Sequence, residues 1–174
     1  DFSQRVTLPK GHLQMPIDPK LQRTIMGRFA TGVTVVTMKA GETLWGMTAN
    51  AVTSLSLDPP LVLVCVDKTT QTHQYLKQAG AFAMNILAED QQELSNRFAT
   101  PGPKEFSDLD FVDGETGSPV LGGTLGYVDC RLREVLAGGD HDIFIGEIVD
   151  GEDRVGEDGV GRPLLYFGGY QKLS

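Results

Sequence analysis

Alternation of apolar and polar positions dominates this 174-residue chain. In "GMTANAVTSLSL", Met47, Ala49, Ala51, Thr53, Leu55 and Leu57 fall on one side, and Thr48, Asn50, Val52, Ser54 and Ser56 on the other. This is the period of a strand with one buried face, and the first set reads as core. The segment "LWGMTANAVTSLSL" is therefore predicted as one long strand, returning from "VTVVTM" through a hairpin turn at "KAGET". "DPP" ends it, because proline cannot donate to a ladder. "LVLVCV" and "AFAMNIL" read as buried strands; "TLGYVDCRLREVL", "HDIFIGEIVD" and "PLLYFGGY" read as further strands between glycine-rich or acidic turns.

Three segments carry a helical period instead. In "DPKLQRTIMGRFATG", Asp18 caps, Pro19 fits the first helical position, Leu21, Ile25 and Phe29 share a face, and Gly32 ends the helix. "TTQTHQYLKQAG" is a short helix with Gly80 beyond it. "EDQQELSNRFA" pairs Asp90 with Glu93 as a capping box and puts Leu94 and Phe98 on the packed face. Many strands joined mostly by hairpin signals, with only three helices, predict a mainly β fold with some α: a closed antiparallel barrel with flanking helices. Residues 1–16 show no sustained period and read as an N-terminal arm before a single domain over 17–174.

Composition narrows the classes. Forty per cent apolar and 22% charged residues make an ordinary globular mixture. No apolar run approaches the roughly 18 residues that would cross a bilayer. The net charge of −8 argues against nucleic acid or an anionic membrane as partner. The acidic stretches "SDLDFVDGE" and "DGEDRVGEDG" read as exposed loops. The first residues lack the basic and apolar regions of a secretory leader. Cys65 and Cys130 lie in apolar runs without metal-ligand spacing, so reduced buried thiols, a cytoplasmic location and no metal site are expected. A nucleophilic role for Cys65 finds no base nearby in sequence.

The polar side of the opening strand carries short hydroxyls and an amide. It is either an ordinary solvent face or a wall for a flat polar heterocycle. "VDKTTQTHQYL" then runs a buried strand into a hydroxyl-rich helix start beside Lys68. Thr70 and Thr72 either cap that helix or, with Lys68 and the free N–H groups, hold a phosphate. A heterocycle wall followed by an anion site points to a nucleotide. No GxGxxG or GxxxxGK[ST] sequence occurs, so neither the dinucleotide-binding βαβ unit nor the P-loop provides that site.

Four ordered segments, "RFATGVTVVT", "GMTANAVTSLSLDPPLVLVCVD", "GDHDIFIGEI" and "PLLYFGGY", resemble the flavin reductase family from about Leu21 to Tyr170. The resemblance implies an FMN-binding split barrel of Greek-key-like type and a homodimer with flavin sites near the subunit interface. It also implies FMN or FAD as flavin, NADH or NADPH as hydride donor, and a flavin-dependent monooxygenase receiving the reduced flavin. Matched by motif, Met47, Thr48, Ala49 and Asn50 line the isoalloxazine, and Ser54 lies toward the ribityl and phosphate. Val66, Asp67, Lys68, Thr70 and Thr72 match the segment that holds the flavin tail, with Thr31 and Arg97 as further candidates. The resemblance sets His141 beside the nicotinamide, and Tyr170 matches the aromatic C-terminal segment. No ionisable catalytic residue is required, because the cofactors carry the chemistry. Two alternatives remain at this point: a tightly held flavin passing electrons to a corrinoid, ferric iron or a protein, and a flavin-binding protein without turnover.

Overall fold

The computed structural model describes residues 17–155 and 161–171. The expected arm over 1–16 and part of "DGEDRVGEDG" lie outside them. In chain order the elements are α1 (Pro19–Met26), β1 (Thr31–Gly32), β2 (Thr34–Ala40), β3 (Thr43–Ala49), β4 (Val52–Leu57), β5 (Pro60–Asp67), α2 (Gln71–Ala79) and β6 (Ala81–Ile86). There follow α3 (Gln92–Ala99), β7 (Phe111–Asp113), β8 (Pro119–Leu121), β9 (Gly126–Gly138), β10 (His141–Asp153), β11 (Leu165–Tyr166) and β12 (Tyr170–Gln171).

Seven strands form one sheet in the order β3-β2-β6-β9-β10-β5-β4, with every neighbour antiparallel. The predicted long strand is in fact two. β3 ends at Ala49 and pairs with β2, whereas β4 begins at Val52 and pairs with β5 at the opposite edge. Only Asn50 and Ala51 separate the two edges along the chain, so the sheet curls into a barrel whose edges approach without pairing. The break also resets the alternation. Leu55 is 45% and Leu57 90% exposed, not core as the unbroken pattern predicted.

β2 explains why the core is in two parts. Val36 and Met38 point into the barrel with Trp45, Phe82, Met84, Leu76 and Phe144. Val33, just before β2, and Val35 point outward into a second cluster with Leu87, Phe98, Phe106, Leu121 and Leu164. A strand buried on both faces must satisfy any polar side chain internally, since an unsatisfied buried group costs about 1–3 kcal/mol. Thr34 Oγ1 donates to the Ala49 carbonyl at 2.7 Å, and Asn85 Nδ2 donates to Val35 O and Thr37 Oγ1, each at 3.0 Å. Among the described residues no buried side-chain polar atom lacks a partner.

The hairpin between β2 and β3 turns through Gly41 and Glu42, with Gly41 at φ +62°, as the predicted turn requires. α2 also follows its sequence signals, from the Thr70 cap to Gly80 at φ +65°. α1 is shorter than predicted: it stops at Met26, and Thr31–Gly32 instead pairs with β11. Asp90 does not cap α3. Gln91 takes the cap position and sends its side chain to Ala88 N at 3.0 Å and Gly122 O at 3.1 Å. The acidic residues Asp150–Asp153 belong to β10 and pair with β9, so they are strand and not loop.

Gly146 on β10 faces Phe82 and Cys130 so closely that an added Cβ would lie 2.5 Å from the Phe82 ring. Both neighbours are fully buried. Gly146→Ala is expected to lower unfolding free energy by about 1–3 kcal/mol through overpacking, read from urea denaturation midpoints.

Candidate functional site

β3 is a sheet edge, so part of its backbone has no strand partner. α3 packs across this edge. Gly46 makes the approach possible, because a Cβ there would sit 2.5 Å from the Phe98 ring. Thr48 Oγ1 donates to the carbonyl of the fully buried Ser95, whose Oγ shares a 2.8 Å hydrogen bond with the Tyr170 hydroxyl. Strand, helix and the β11–β12 hairpin are thus hydrogen-bonded in series. Tyr166 meets Tyr170 edge to face, with ring centroids 5.8 Å apart.

These three elements enclose a cavity of about 390 Å³ lined by Met47, Thr48, Asn50, Phe98, Tyr166 and Tyr170, among others. A second cavity of about 360 Å³ shares Met47, Phe98 and Ala99 with it and reaches Trp45, Thr70, Thr72 and Lys104. The two adjoin at these shared residues and are taken together as one candidate cleft between the C-terminal hairpin and the start of α2. Among the described residues no carboxylate or histidine lines either part.

The start of α2 is internally bonded. Asp67 accepts from Thr69 N at 2.8 Å and Thr69 Oγ1 at 2.7 Å, and these bonds hold its carboxyl below the usual range. Thr70 Oγ1 accepts from His73 N and donates to Asp67 O, which is the capping reading of this threonine. Thr72 is buried and accepts from Trp45 Nε1 at 2.9 Å. Lys68 Nζ donates to Gly139 O at 2.6 Å and lies 3.4 Å from Asp142. Asp142 also meets His73 at 2.7 Å and Lys77 at 3.3 Å. The His73 bond, with the two lysines, outweighs desolvation and pulls the Asp142 carboxyl down to about 2.

The structure therefore brings Met47, Thr48, Asn50 and Tyr170 into one cavity, and Thr70 and Thr72 into the adjoining one. Thr31 stands beside them, accepting from Asn50 Nδ2 at 3.2 Å. Other expected residues point elsewhere within this chain. Ala49 and Val66 are buried, and Ser54 is exposed on the far edge strand β4. Arg97 forms a two-pronged pair with Asp108, at 2.7 and 2.8 Å. His141 is half-buried at the start of β10, opposite Asp67 and bonded to Asp140 at 2.8 Å. Sequence reasoning missed Phe98 and Lys104, and it matched Tyr166 with Tyr170 to the aromatic C-terminal segment without setting Tyr166 among the site residues. Phe98 carried only a core signal and Tyr166 only the covering role of a strand-end aromatic; Lys104, in "TPGPKEF", carried none.

Residues 26–174 match the Flavin reductase like domain. This chain belongs to the flavin reductase family. It is 40% identical over 160 residues to the reductase component of a 4-nitrophenol 4-monooxygenase/4-nitrocatechol 2-monooxygenase from Rhodococcus opacus, covering 92% of this chain and 83% of the relative. It is 38% identical over 168 residues to an FMN reductase (NADH) from Agrobacterium fabrum, covering 95% and 93%. The solved NADH:FAD oxidoreductase of Streptomyces globisporus superposes with a TM-score of 0.83 at 37% identity, covering 95% of this flavin reductase and 99% of that chain. The fold is thus the split barrel of flavin reductases. Among the described residues no helix is long and apolar enough to cross a membrane, and no group of three or more His, Cys, Asp or Glu could hold a metal ion.

The Asp142 cluster gives this flavin reductase a defined acid response. A carboxyl lowered by folding adds stability above its unfolded value of 3.8, and that stability is lost as pH falls through the folded value of about 2. Wild type is expected to exceed Asp142→Asn in urea midpoint at pH 6, with the gap narrowing between about pH 4 and pH 2.

Proposed function

We propose that this flavin reductase uses NADH to reduce free FMN or FAD in the cleft between β3, α3 and the β11–β12 hairpin, and releases reduced flavin to a partner monooxygenase. The single observation that carries the reading is the cleft itself. Met47 and Phe98 provide apolar walls, while Thr48, Asn50, Tyr166 and Tyr170 place polar atoms at its margin. That donor set fits a flat ring system with polar edges. The relatives add NADH as donor, FMN or FAD as flavin, and service to a monooxygenase.

Flavin, when bound, supplies the acceptor for the nicotinamide hydride. The chain's residues hold and orient. Met47 and Phe98 exclude water from the ring faces, and Thr48, Asn50 and the unpaired backbone of edge strand β3 hydrogen-bond the ring edge. Thr70 and Thr72 stand where the second cavity would receive the flavin tail. By the family resemblance Tyr170, which lines the first cavity, would orient the nicotinamide nucleotide; His141, expected beside it, lines neither cavity of this chain.

The active unit is read as a homodimer. Among the described residues α1 buries none of its side chains, and Ile25 and Phe29 are 52% and 70% exposed. A helix of eight residues is not stable alone, since isolated helices below about 12–15 residues are marginal in water. A second copy covering the Leu21, Ile25 and Phe29 side would stabilise it.

Mixing the protein with NADH and excess FMN or FAD without oxygen is expected to bleach the yellow flavin, with saturable dependence on added flavin; no bleaching with either flavin rejects the reading. Ile25→Glu with Phe29→Glu is expected to shift a dimer to monomer by light scattering; an unchanged mass rejects α1 as the interface.

A further inference from the structure

The cations that sequence reasoning offered to a phosphate are already occupied. Lys68 is held by the Gly139 carbonyl and Asp142, and Lys77 shares that same carboxylate. Arg97 spends both guanidinium nitrogens on Asp108 and lines neither part of the cleft. An anion reaching any of them would have to displace a carboxylate already bonded there. Lys104 differs. It lies in the segment between α3 and β7, lines the cleft with Thr70 and Thr72, and among the described residues is the only Lys or Arg lining either cavity; it also borders a neighbouring cavity with Arg97, Glu105 and Asp108. It is half-buried and, among the described residues, its ammonium has neither a hydrogen-bond nor an ion-pair partner. Desolvation alone pulls that ammonium below its ordinary value. A partly desolvated charge without an acceptor is costly in the empty cleft and attractive to an incoming anion, whose charge-assisted hydrogen bonds are roughly twice as strong as neutral ones.

The chemistry around it narrows the anion. The Thr72 hydroxyl accepts from Trp45 and keeps its own proton to donate. The opposing surfaces, Met47 and Phe98, are apolar and suit a ring, not a second charge. One ammonium and hydroxyl donors at the end of a ring-shaped cleft suit a phosphoryl group attached to a heterocycle. We infer that Lys104 is the residue that grips the phosphoryl group of a nucleotide in this cleft, making the protein selective for phosphorylated flavin over riboflavin. This rests on the flavin reductase reading and assigns its phosphate contact to a residue outside the motifs that mark the family here. The same chemistry could come from the pyrophosphate of the nicotinamide nucleotide, so the test separates the two sources.

The test measures dissociation constants for FMN and riboflavin by flavin fluorescence quenching, and the KM for NADH, in wild type, Lys104→Met and Lys104→Arg. Wild type should prefer FMN to riboflavin by about tenfold or more. Lys104→Met should abolish most of that preference by weakening FMN while leaving riboflavin unchanged; Lys104→Arg should retain most of it. A rise in the NADH KM with the flavin preference intact assigns the phosphoryl group to the nicotinamide nucleotide. Equal weakening of FMN and riboflavin with an unchanged NADH KM marks a structural role and overturns the inference. So does a Lys104→Met protein that keeps both the FMN preference and the wild-type KM. Wild-type protein that binds neither flavin overturns the flavin reductase reading, and this inference with it.

Discussion

Both free edges of the barrel sheet are drawn from a single stretch of chain, joined only through Asn50 and Ala51. That constraint organises the rest. The two edges are close at this joint, yet neither is paired to the other, so the molecule has a seam of unsatisfied backbone that something must cover. On the β3 side the cover is α3, admitted by the bare face of Gly46. The β11–β12 hairpin joins that helix through Ser95 and Tyr170. The cleft is the space left where helix and hairpin do not fully close over the strand. A binding site at a sheet edge is therefore a by-product of how the barrel is shut.

Hydroxyls are used throughout to fasten elements that have little apolar area in common. Thr48 ties β3 to α3, Thr72 ties α2 to Trp45 on β3, and Thr116 meets the buried Asp129 at 2.7 Å through its N–H and 2.6 Å through its hydroxyl, securing the β7–β8 turn to β9. Each such bond is worth only about 0.5–1.5 kcal/mol net, but breaking one strands a buried group at greater cost. Such bonds therefore fix geometry more than they add stability. A rigid surround suits a site whose work is to hold two rings in contact.

Much of the fold was legible because its signals are local. Alternation marked β2, β5, β6, β9 and β10, and the Thr70 and Gly80 caps bounded α2. What failed was non-local. Nothing in "TANAV" distinguishes a strand that continues from one that leaves its sheet and joins the other edge, because both keep the same alternation. The error carried Leu55 and Leu57 into an imagined core. Asp90 and Glu93 had the spacing of a capping box, but Gln91 bonded across to Gly122, a competitor distant in sequence. For the candidate site, the strand motif pointed to Met47, Thr48 and Asn50, which line the first cavity. Lys68 and Arg97 looked available because their partners, Gly139, Asp142 and Asp108, are brought to them only by folding.

Cys130 sits on β9 with no exposed surface, and burial pushes its thiol up to about 12. Reduced flavin that escapes into aerated solution generates peroxide, and the form of cysteine that peroxide attacks is the thiolate. At neutral pH a thiol so displaced has almost no thiolate, and the residue lies in the core cluster with Phe82 and Phe144. This thiol is thereby insulated from the oxidant that escaped reduced flavin can create.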